Sequence, residues 1–541
     1  MDNAMPAMEQ ELRSRLAERA GIECGPRPQD FTVRLTRAED VPAAVAELCA
    51  AGLALAMLVA TDEEATAERD LKVRYLFEPG VSDTLALPDT FVTLVASLDP
   101  ARPELPSISA EVPAANWHER EAQDLFGIVF LGHPDPRPLV LHDGWPNGLY
   151  PLRKGFDARQ RPAVEPSEEF PHLVVDGEGV FEVPVGPIHA GIIEPGHFRF
   201  STVGESVLNL EPRLFYTHRG LEKRVEGLSA LDAFYVVERI CGVCSVSHGL
   251  GFCEAVEQIA GVEVPSRARM IRTIALELER MYNHVGDIGN ICAGASYHYG
   301  SSAGSRMKEA LQQVNERLAG NRFLRGLLTP GGVRLDLDGD LARVIEGAIS
   351  VTAEGLDSLM EQIEGNPSVL DRLDGPGLLS RQAAIDLGVT GVAARASGVN
   401  RDARRDHPLG AYAEEGSPCV MVATAVEGDV NARLSLRAAE ARESMRLVRG
   451  LLSGRRSGPL CAAVPDVLPP WRIGQCAIES PRGAAVHWLR TDAAGRVDRY
   501  HLRSASYANW PAVPLAALTA IIPDFPLINK SFELCYSCTD R

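Results

Sequence analysis

Two Cys-x-x-Cys pairs stand at opposite ends of the second part of this chain, Cys241-Gly-Val-Cys244 and Cys535-Tyr-Ser-Cys538. A deprotonated thiol is a soft, tightly binding ligand, and four of them suffice to close a metal site. About 290 residues separate the pairs, whereas zinc ribbons and knuckles place theirs roughly 15–20 apart. A metal shared by all four sulfurs requires a fold that returns its last residues to its own interior.

At 541 residues the chain exceeds what a single core usually serves, which predicts two or three domains. A net charge of −19 argues against nucleic acid as the main partner, since phosphate binding needs a basic surface. The longest apolar stretch, Leu48 to Ala60, is alanine-rich and falls short of the ~18 residues of a membrane span. It reads as a core helix running into a strand. The opening Met1-Asp-Asn-Ala-Met-Pro lacks the basic and apolar regions of a secretory signal. Eleven cysteines, an odd number spread through a long chain, fit a reducing cytosol and metal ligation better than a disulfide framework. Cys24, Cys49, Cys253, Cys292, Cys419, Cys461 and Cys476 are expected to be buried structural thiols.

Residues 8–21 have helical composition. From Phe31 to Leu98 short β-like runs (from Phe31, Lys72 and Thr90) alternate with an apolar helix over 41–51, which predicts a small α+β domain. The proline- and glycine-rich stretch from His133 to Phe156 should run extended over the surface. A polar, proline-bearing segment from Pro162 to Pro171 sets the domain boundary near residue 160, giving domains 1–160 and 161–541. The second part opens with strands from Val180, Phe198 and Ser206 and then turns helical. Its clearest helix covers 266–292, where Ile271, Ile274, Leu278, Met281, Val285 and Ile288 form one apolar stripe. Further helices are expected over 305–318, 341–364 and 430–452. The fold class is α+β: a small α+β domain, then a mostly helical one with a short β region at its start.

The surroundings of the cysteines carry more than spacing. Arg239-Ile-Cys241-Gly-Val-Cys244 and the C-terminal Cys535-Tyr-Ser-Cys538-Thr-Asp-Arg541 resemble the motifs that hold the bimetallic centre in nickel–iron hydrogenase large subunits. The ending is most similar to the energy-converting, membrane-associated group that includes formate hydrogenlyase. Glu194-Pro-Gly-His197, His218-Arg-Gly-Leu-Glu222 and Glu479-Ser-Pro-Arg482-Gly483 resemble further family elements, in the family's order. Independently, Trp117-His-Glu-Arg-Glu-Ala-Gln-Asp124-Leu-Phe-Gly127 resembles the signature of the complex I 30-kDa subunit, which such enzymes carry fused to the large subunit.

That resemblance implies a catalytic subunit interconverting H2 with protons and electrons. It makes Cys241 and Cys535 terminal nickel ligands, and Cys244 and Cys538 bridges between nickel and an iron carrying cyanide and carbon monoxide. Glu194 would take the proton from a nickel thiolate, and Arg482 would point its permanently charged, planar guanidinium over the open metal edge. Glu222 matches a ligand of a family Mg2+ that a C-terminal histidine often completes. Here the end is Arg541, so the Mg2+ and a Glu222–Arg541 ion pair both stand. His248 is placed to hydrogen-bond a bridging sulfur or to be satisfied by backbone, and Asn283 and His284 to line the pocket. The family has Asp-Pro before the last cysteine pair where this chain has Glu533-Leu534, which bears on the geometry of Cys535.

The implied partners are a small subunit with a [4Fe–4S] cluster, ferredoxin-like electron carriers and membrane subunits of a complex I-like assembly. They would place the chain at the inner face of the cell membrane. A maturation endopeptidase and chaperone are also implied, because the family loses a C-terminal extension after this arginine. A chain stopping at Arg541 resembles the processed form or a gene without the extension. Two other readings stand beside this one. A structural zinc site with four cysteine ligands is the first. The second is a metal-free, quinone-coupled subunit of a complex I-like assembly, whose known members have lost the metal cysteines.

Overall fold

A computed structural model describes the chain except for residues 1–3, 17–18, 82–88, 161, 164–169, 190–193, 455 and 519 and the side chains of 4–7. Most of the polar 162–171 segment, and Ile193 beside Glu194, thus lie outside the described residues.

The N-terminal module is a five-stranded sheet in the spatial order Ala20–Cys24, Phe31–Leu35, Val92–Leu98, Leu71–Pro79, Leu53–Asp62. One adjacent pair, Phe31–Leu35 with Val92–Leu98, is parallel and the others are antiparallel. The Val41–Ala50 helix feeds the Leu53–Asp62 strand, as the sequence pattern predicts. The Ala20–Cys24 strand is a correction. Among the described residues helix covers Ala4–Leu16, while residues 20–21 already belong to the edge strand of the sheet.

From 132 to 179 no helix or strand occurs among the described residues. This strap is held by the Asn116–Phe126 helix. Asp124 accepts the backbone N–H groups of Leu139, Val140 and Leu141 at 2.9, 2.8 and 3.1 Å. Beyond it, strands Val180–Val185, His197–Val203 and Ser206–Arg213 form an antiparallel sheet.

The Ser266–Gly294 helix is the axis of the larger part, packed against His298–Ala319 and Val430–Ser453. Its apolar stripe faces neighbouring helices, and Ile271, Ile274, Leu278, Val285 and Ile288 are fully buried. A three-stranded antiparallel sheet (Ile473–Ser480, Gly483–Thr491, Val497–Arg503), which the sequence pattern does not announce, lies between the Ser245–Ala260 helix and the N-terminal sheet. Met57, Val59, Leu76 and Phe91 pack against Ala477, Val486 and Trp488 across the two sheets. The architecture is α+β. Among the thiols expected to be buried, Cys253, Cys292 and Cys476 are, whereas Cys24, Cys49, Cys419 and Cys461 are exposed. Cys24, for example, lies on an edge strand, where alternate residues face solvent.

Candidate metal centre

The first cysteine pair lies in the loop that starts the Ser245–Ala260 helix, with Cys244 at its N-cap. The Ser266–Gly294 helix anchors that loop. Asn283 Nδ2 donates to Val243 O at 2.9 Å, and the Tyr282 hydroxyl reaches Gly242 O at 3.3 Å. Glu279 accepts from Val246 N (2.6 Å), Ser247 N (3.0 Å) and Ser247 Oγ (2.8 Å), while burial pushes its pKa up to about 7. These residues occupy the orphan N–H positions of a helix start, where a carboxylate is the natural acceptor.

The second pair follows the Phe525–Phe532 helix, which ends at Glu533 in the left-handed region (φ 53°). Cys535 N donates to Ser506 Oγ at 3.0 Å, and Ser504 Oγ donates to Cys538 O at 2.9 Å. One residue ties both loops together. Arg219 Nη2 donates to Ile240 O at 2.8 Å and to Ser537 O at 3.0 Å, carbonyls beside Cys241 and between the tail cysteines. Asp540 accepts from Phe215 N and Thr217 N, both at 2.9 Å, which fastens the tail in place.

The sulfurs meet. Cys538 Sγ lies 2.9 Å from Cys241 Sγ and 3.2 Å from His248 Nε2. Ligand atoms of Cys241, Cys244, His248 and Cys538 all fall within 4.8 Å of one another, and Cys535 Sγ adjoins Cys241 and Cys538. Cys241, Cys244 and Cys538 are buried, and Cys535 is half-buried. Hydrogen bonds with Cys241 and Cys538 pull the Cys244 thiol down to about 6. Four sulfurs converging this closely suit soft metal ions, which relieve the mutual repulsion of thiolates.

Charged groups face the sulfurs from two sides. Glu194 accepts from Ser537 N at 2.8 Å and from Ser537 Oγ, and its charge acts on the Cys535 thiol. Gly196 permits this approach, because a Cβ there would lie 2.6 Å from a Tyr536 ring carbon. On the other side Arg482 heads the turn between two strands. Its Nη1 and Nη2 donate to Asp287 at 2.5 and 3.0 Å, and Nη2 lies 3.8 Å from Glu533. The turn needs glycine at 483, where a Cβ would meet Gly391 N at 2.6 Å. Arg280 holds the same turn through Glu479 O and Ser480 O at 2.7 and 3.0 Å. Arg482 Nε and His248 Nδ1 are buried without a hydrogen-bond partner.

Glu533 thus keeps a carboxylate beside Arg482 despite its extra methylene, and Asn290 Nδ2 donates to it. Burial and the neighbouring Asp287 push Glu533 up to about 7. Burial alone would raise Asp287 too, but Arg482 and Arg437 hold it well below the carboxylate range. His284 turns away from the sulfurs to Glu440, at 3.0 Å. Asp287 and Arg219 are the residues sequence reasoning missed. Asp287 is one of several buried charged residues beside the apolar stripe of the Ser266–Gly294 helix, which the stripe alone does not single out, and Arg219 lies inside the His218–Glu222 motif.

Glu222 sits apart, under Arg541. Its Oε1 accepts from Arg541 Nη1 and His501 Nδ1, both at 2.9 Å, and its Oε2 from Arg499 Nη1 at 2.7 Å. Burial is outweighed by His501, Arg499 and Arg541, which hold Glu222 well below its ordinary pKa. These surroundings do not fit the magnesium ion considered from sequence, because the carboxylate already faces two guanidinium groups.

Residues 219–287 match the nickel-dependent hydrogenase family. Residues 300–475 match the respiratory-chain NADH dehydrogenase 49 Kd subunit, and 35–162 its 30 Kd subunit. Formate hydrogenlyase subunit 5 of Escherichia coli is 36% identical over 83% of this chain and 79% of its own length. The chain belongs to that hydrogenase family. The C/D subunit of the NADH-quinone oxidoreductase of Phocaeicola vulgatus is 31% identical over 81% of this chain and 87% of its own. Among solved structures, a chain of the membrane-bound sulfane sulfur reductase, an archaeal respiratory membrane complex, matches with a TM-score of 0.63 and 26% identity. It covers 67% of this chain and 99% of that one. This large subunit is therefore an oxidoreductase of the [NiFe]-hydrogenase type, related also to complex I. The cluster of Cys241, Cys244 and Cys538, with Cys535 beside Cys241 and Cys538, fits the nickel-dependent family's centre.

Proposed function

We propose that this chain interconverts H2 with protons and electrons at a nickel–iron centre held by Cys241, Cys244, Cys535 and Cys538. The observation that carries the reading is the clustering of Cys241, Cys244 and Cys538, with Cys535 beside them, between Glu194 and Arg482. When bound, the metal pair with its cyanide and carbon monoxide ligands supplies heterolytic cleavage of H2. The chain provides the rest. Cys535 Sγ, the most accessible of the four, holds the released proton, and the Glu194 carboxylate, fixed by Ser537, accepts it for transfer outward. Arg482 contributes fixed positive charge, and its unpartnered Nε–H is a donor for a diatomic ligand. His248 Nε2, 3.2 Å from Cys538 Sγ, would donate to the thiolate and temper its charge.

Electrons leave through a small subunit with a [4Fe–4S] cluster, because the remaining cysteines show no cluster spacing in the sequence. No helix among the described residues is long and apolar enough to cross a membrane. Attachment to the inner membrane face would come from membrane partners, with ferredoxin-like proteins passing the current and a maturation endopeptidase and chaperone serving assembly. We place the domain division at 1–160 and 161–541, supported by the 30 Kd match over 35–162.

The test is elemental analysis with one variant. Purified protein should contain nickel and iron, and Cys538→Ala should abolish H2-dependent dye reduction. Zinc alone, no metal, or full activity in Cys538→Ala would each overturn the reading. The complex I-like alternative corresponds to the no-metal outcome.

A further inference from the structure

The pocket under the tail is built from both ends of the chain. Glu121, on the Asn116–Phe126 helix of the N-terminal module, meets Arg541 Nη2 at 2.7 Å, while Glu222 takes Nη1 at 2.9 Å. Leu502 O accepts from the same Nη1 at 2.6 Å, and the guanidinium lies 5.0 Å over the Tyr507 ring. Glu121, Glu222 and His501 bring their donor atoms within 4.8 Å of one another, a set that offers two carboxylates and an imidazole to a cation. The void beside Glu121, Glu222 and Arg541 is about 30 Å3 and is also lined by His218 and Lys223.

We propose that the Arg541 guanidinium takes the place of a divalent cation in this pocket, so that Glu121 of the N-terminal module positions the tail bearing Cys535 and Cys538. Three observations support this. A hard divalent ion such as Mg2+ keeps several waters in an octahedral shell, and 30 Å3 has room for about one. Arg499 and Arg541 already neutralise the two carboxylates, so a further double positive charge would be repelled. A guanidinium also presents two parallel donors to two carboxylates, a fork no bare ion offers.

The Asn116–Phe126 helix is itself fixed tightly enough to serve as an anchor. Glu119 accepts from Ile108 N at 2.9 Å and Ser109 Oγ at 2.6 Å, and Arg120 donates to Arg137 O at 2.8 Å. The lock is then continuous: module helix, Glu121, Arg541, Asp540 on Phe215 and Thr217, and three residues back, Cys538. Glu121 is a positioning residue and touches no metal ligand. Nothing in this lock requires the metal centre to be nickel–iron.

The test uses the metal-loaded protein, titrated with MnCl2 while free Mn2+ is followed by electron paramagnetic resonance. Wild type should hold no Mn2+ that Glu222→Gln removes. Arg541→Ala opens the Glu121–Glu222–His501 set and should gain one bound Mn2+, lost again in Arg541→Ala/Glu222→Gln. A purely structural role for Arg541 would give no such gain. Wild type that binds one Mn2+ abolished by Glu222→Gln overturns the proposal, as does a folded Arg541→Ala that binds none. Should Arg541→Ala not fold, hydrogen exchange of Glu121→Gln decides. Exchange over 535–541 should quicken at least tenfold while the Ser266–Gly294 helix is unchanged, and an unaltered tail sinks the idea.

Discussion

Replacing Glu194 with glutamine separates proton acceptance from shape. Ser537 N donates to one carboxylate oxygen at 2.8 Å and Ser537 Oγ to the other. In glutamine the carbonyl oxygen keeps the first bond, and the serine hydroxyl can rotate to accept from the amide. The change costs roughly 1–2 kcal/mol of charge-assisted hydrogen bonding, too little to release a tail also held by Asp540, Arg219 and Arg541. Nickel content should therefore stay at the wild-type level. What disappears is a group able to gain and shed a proton beside Cys535. Positioned acid–base groups contribute ~10^2–10^4 in rate, about 3–5 kcal/mol of barrier. H2-dependent viologen reduction, normalised to nickel, should fall by that factor. Hydrogen–deuterium exchange with solvent should fall with it, since both need the same proton exit. Undiminished turnover at full nickel loading would refute the assignment. Parallel loss of nickel and activity would show that Glu194 serves the tail's structure instead.

Arg482→Lys keeps a charge for Asp287 but loses the second donor of the fork and the unpartnered Nε–H, so nickel-normalised turnover should drop ~10^2–10^3-fold. Asp287→Asn leaves Arg482 and Arg437 (2.5 and 3.3 Å from its carboxylate) facing each other in the core, and should cost ~3–5 kcal/mol in chemical denaturation. Burial pushes Glu63 up, but Arg74 and Arg490 more than reverse this and hold it at about 2. A carboxylate depressed in the folded state stabilises above its unfolded pKa near 4.5 and loses that contribution as the pH falls toward 2. Wild type should thus exceed Glu63→Gln in stability by ~3 kcal/mol near neutrality, a gap that denaturation at about pH 5, 4, 3 and 2 should show closing. A gap independent of pH would contradict the ion-pair account.

The parts legible in the sequence were those whose signal is local. Cys-x-x-Cys spacing is chemical, and the 266–294 stripe is a period that one helix imposes on its own residues. The sheet over 473–503 gave no such signal, because its strands bury both faces. Every residue of Val497–Arg503 is buried, including Asp498, Arg499, His501 and Arg503, so the alternation that marks a half-exposed strand is missing. Buried polar side chains of this sheet find partners far away in sequence: Arg490 with Glu63 at 2.5 Å, Arg503 with Ala56 O at 2.8 Å, Gln475 with Asp30 at 3.0 Å. Read along the chain, they look like a solvated face. The same holds for the Trp117–Phe126 motif, where Glu119, Arg120, Glu121 and Asp124 are all buried and each has its own partner. A lone buried charge is too costly to keep, so each of these residues implies a partner that only the folded chain supplies. Glu63, Asp30 and Glu121 make the N-terminal module that partner for the catalytic part. A chain cut after residue 160 would take one carboxylate partner from Arg490 (Glu63) and one from Arg541 (Glu121), so the module functions as part of the core around the tail and not as an appendage.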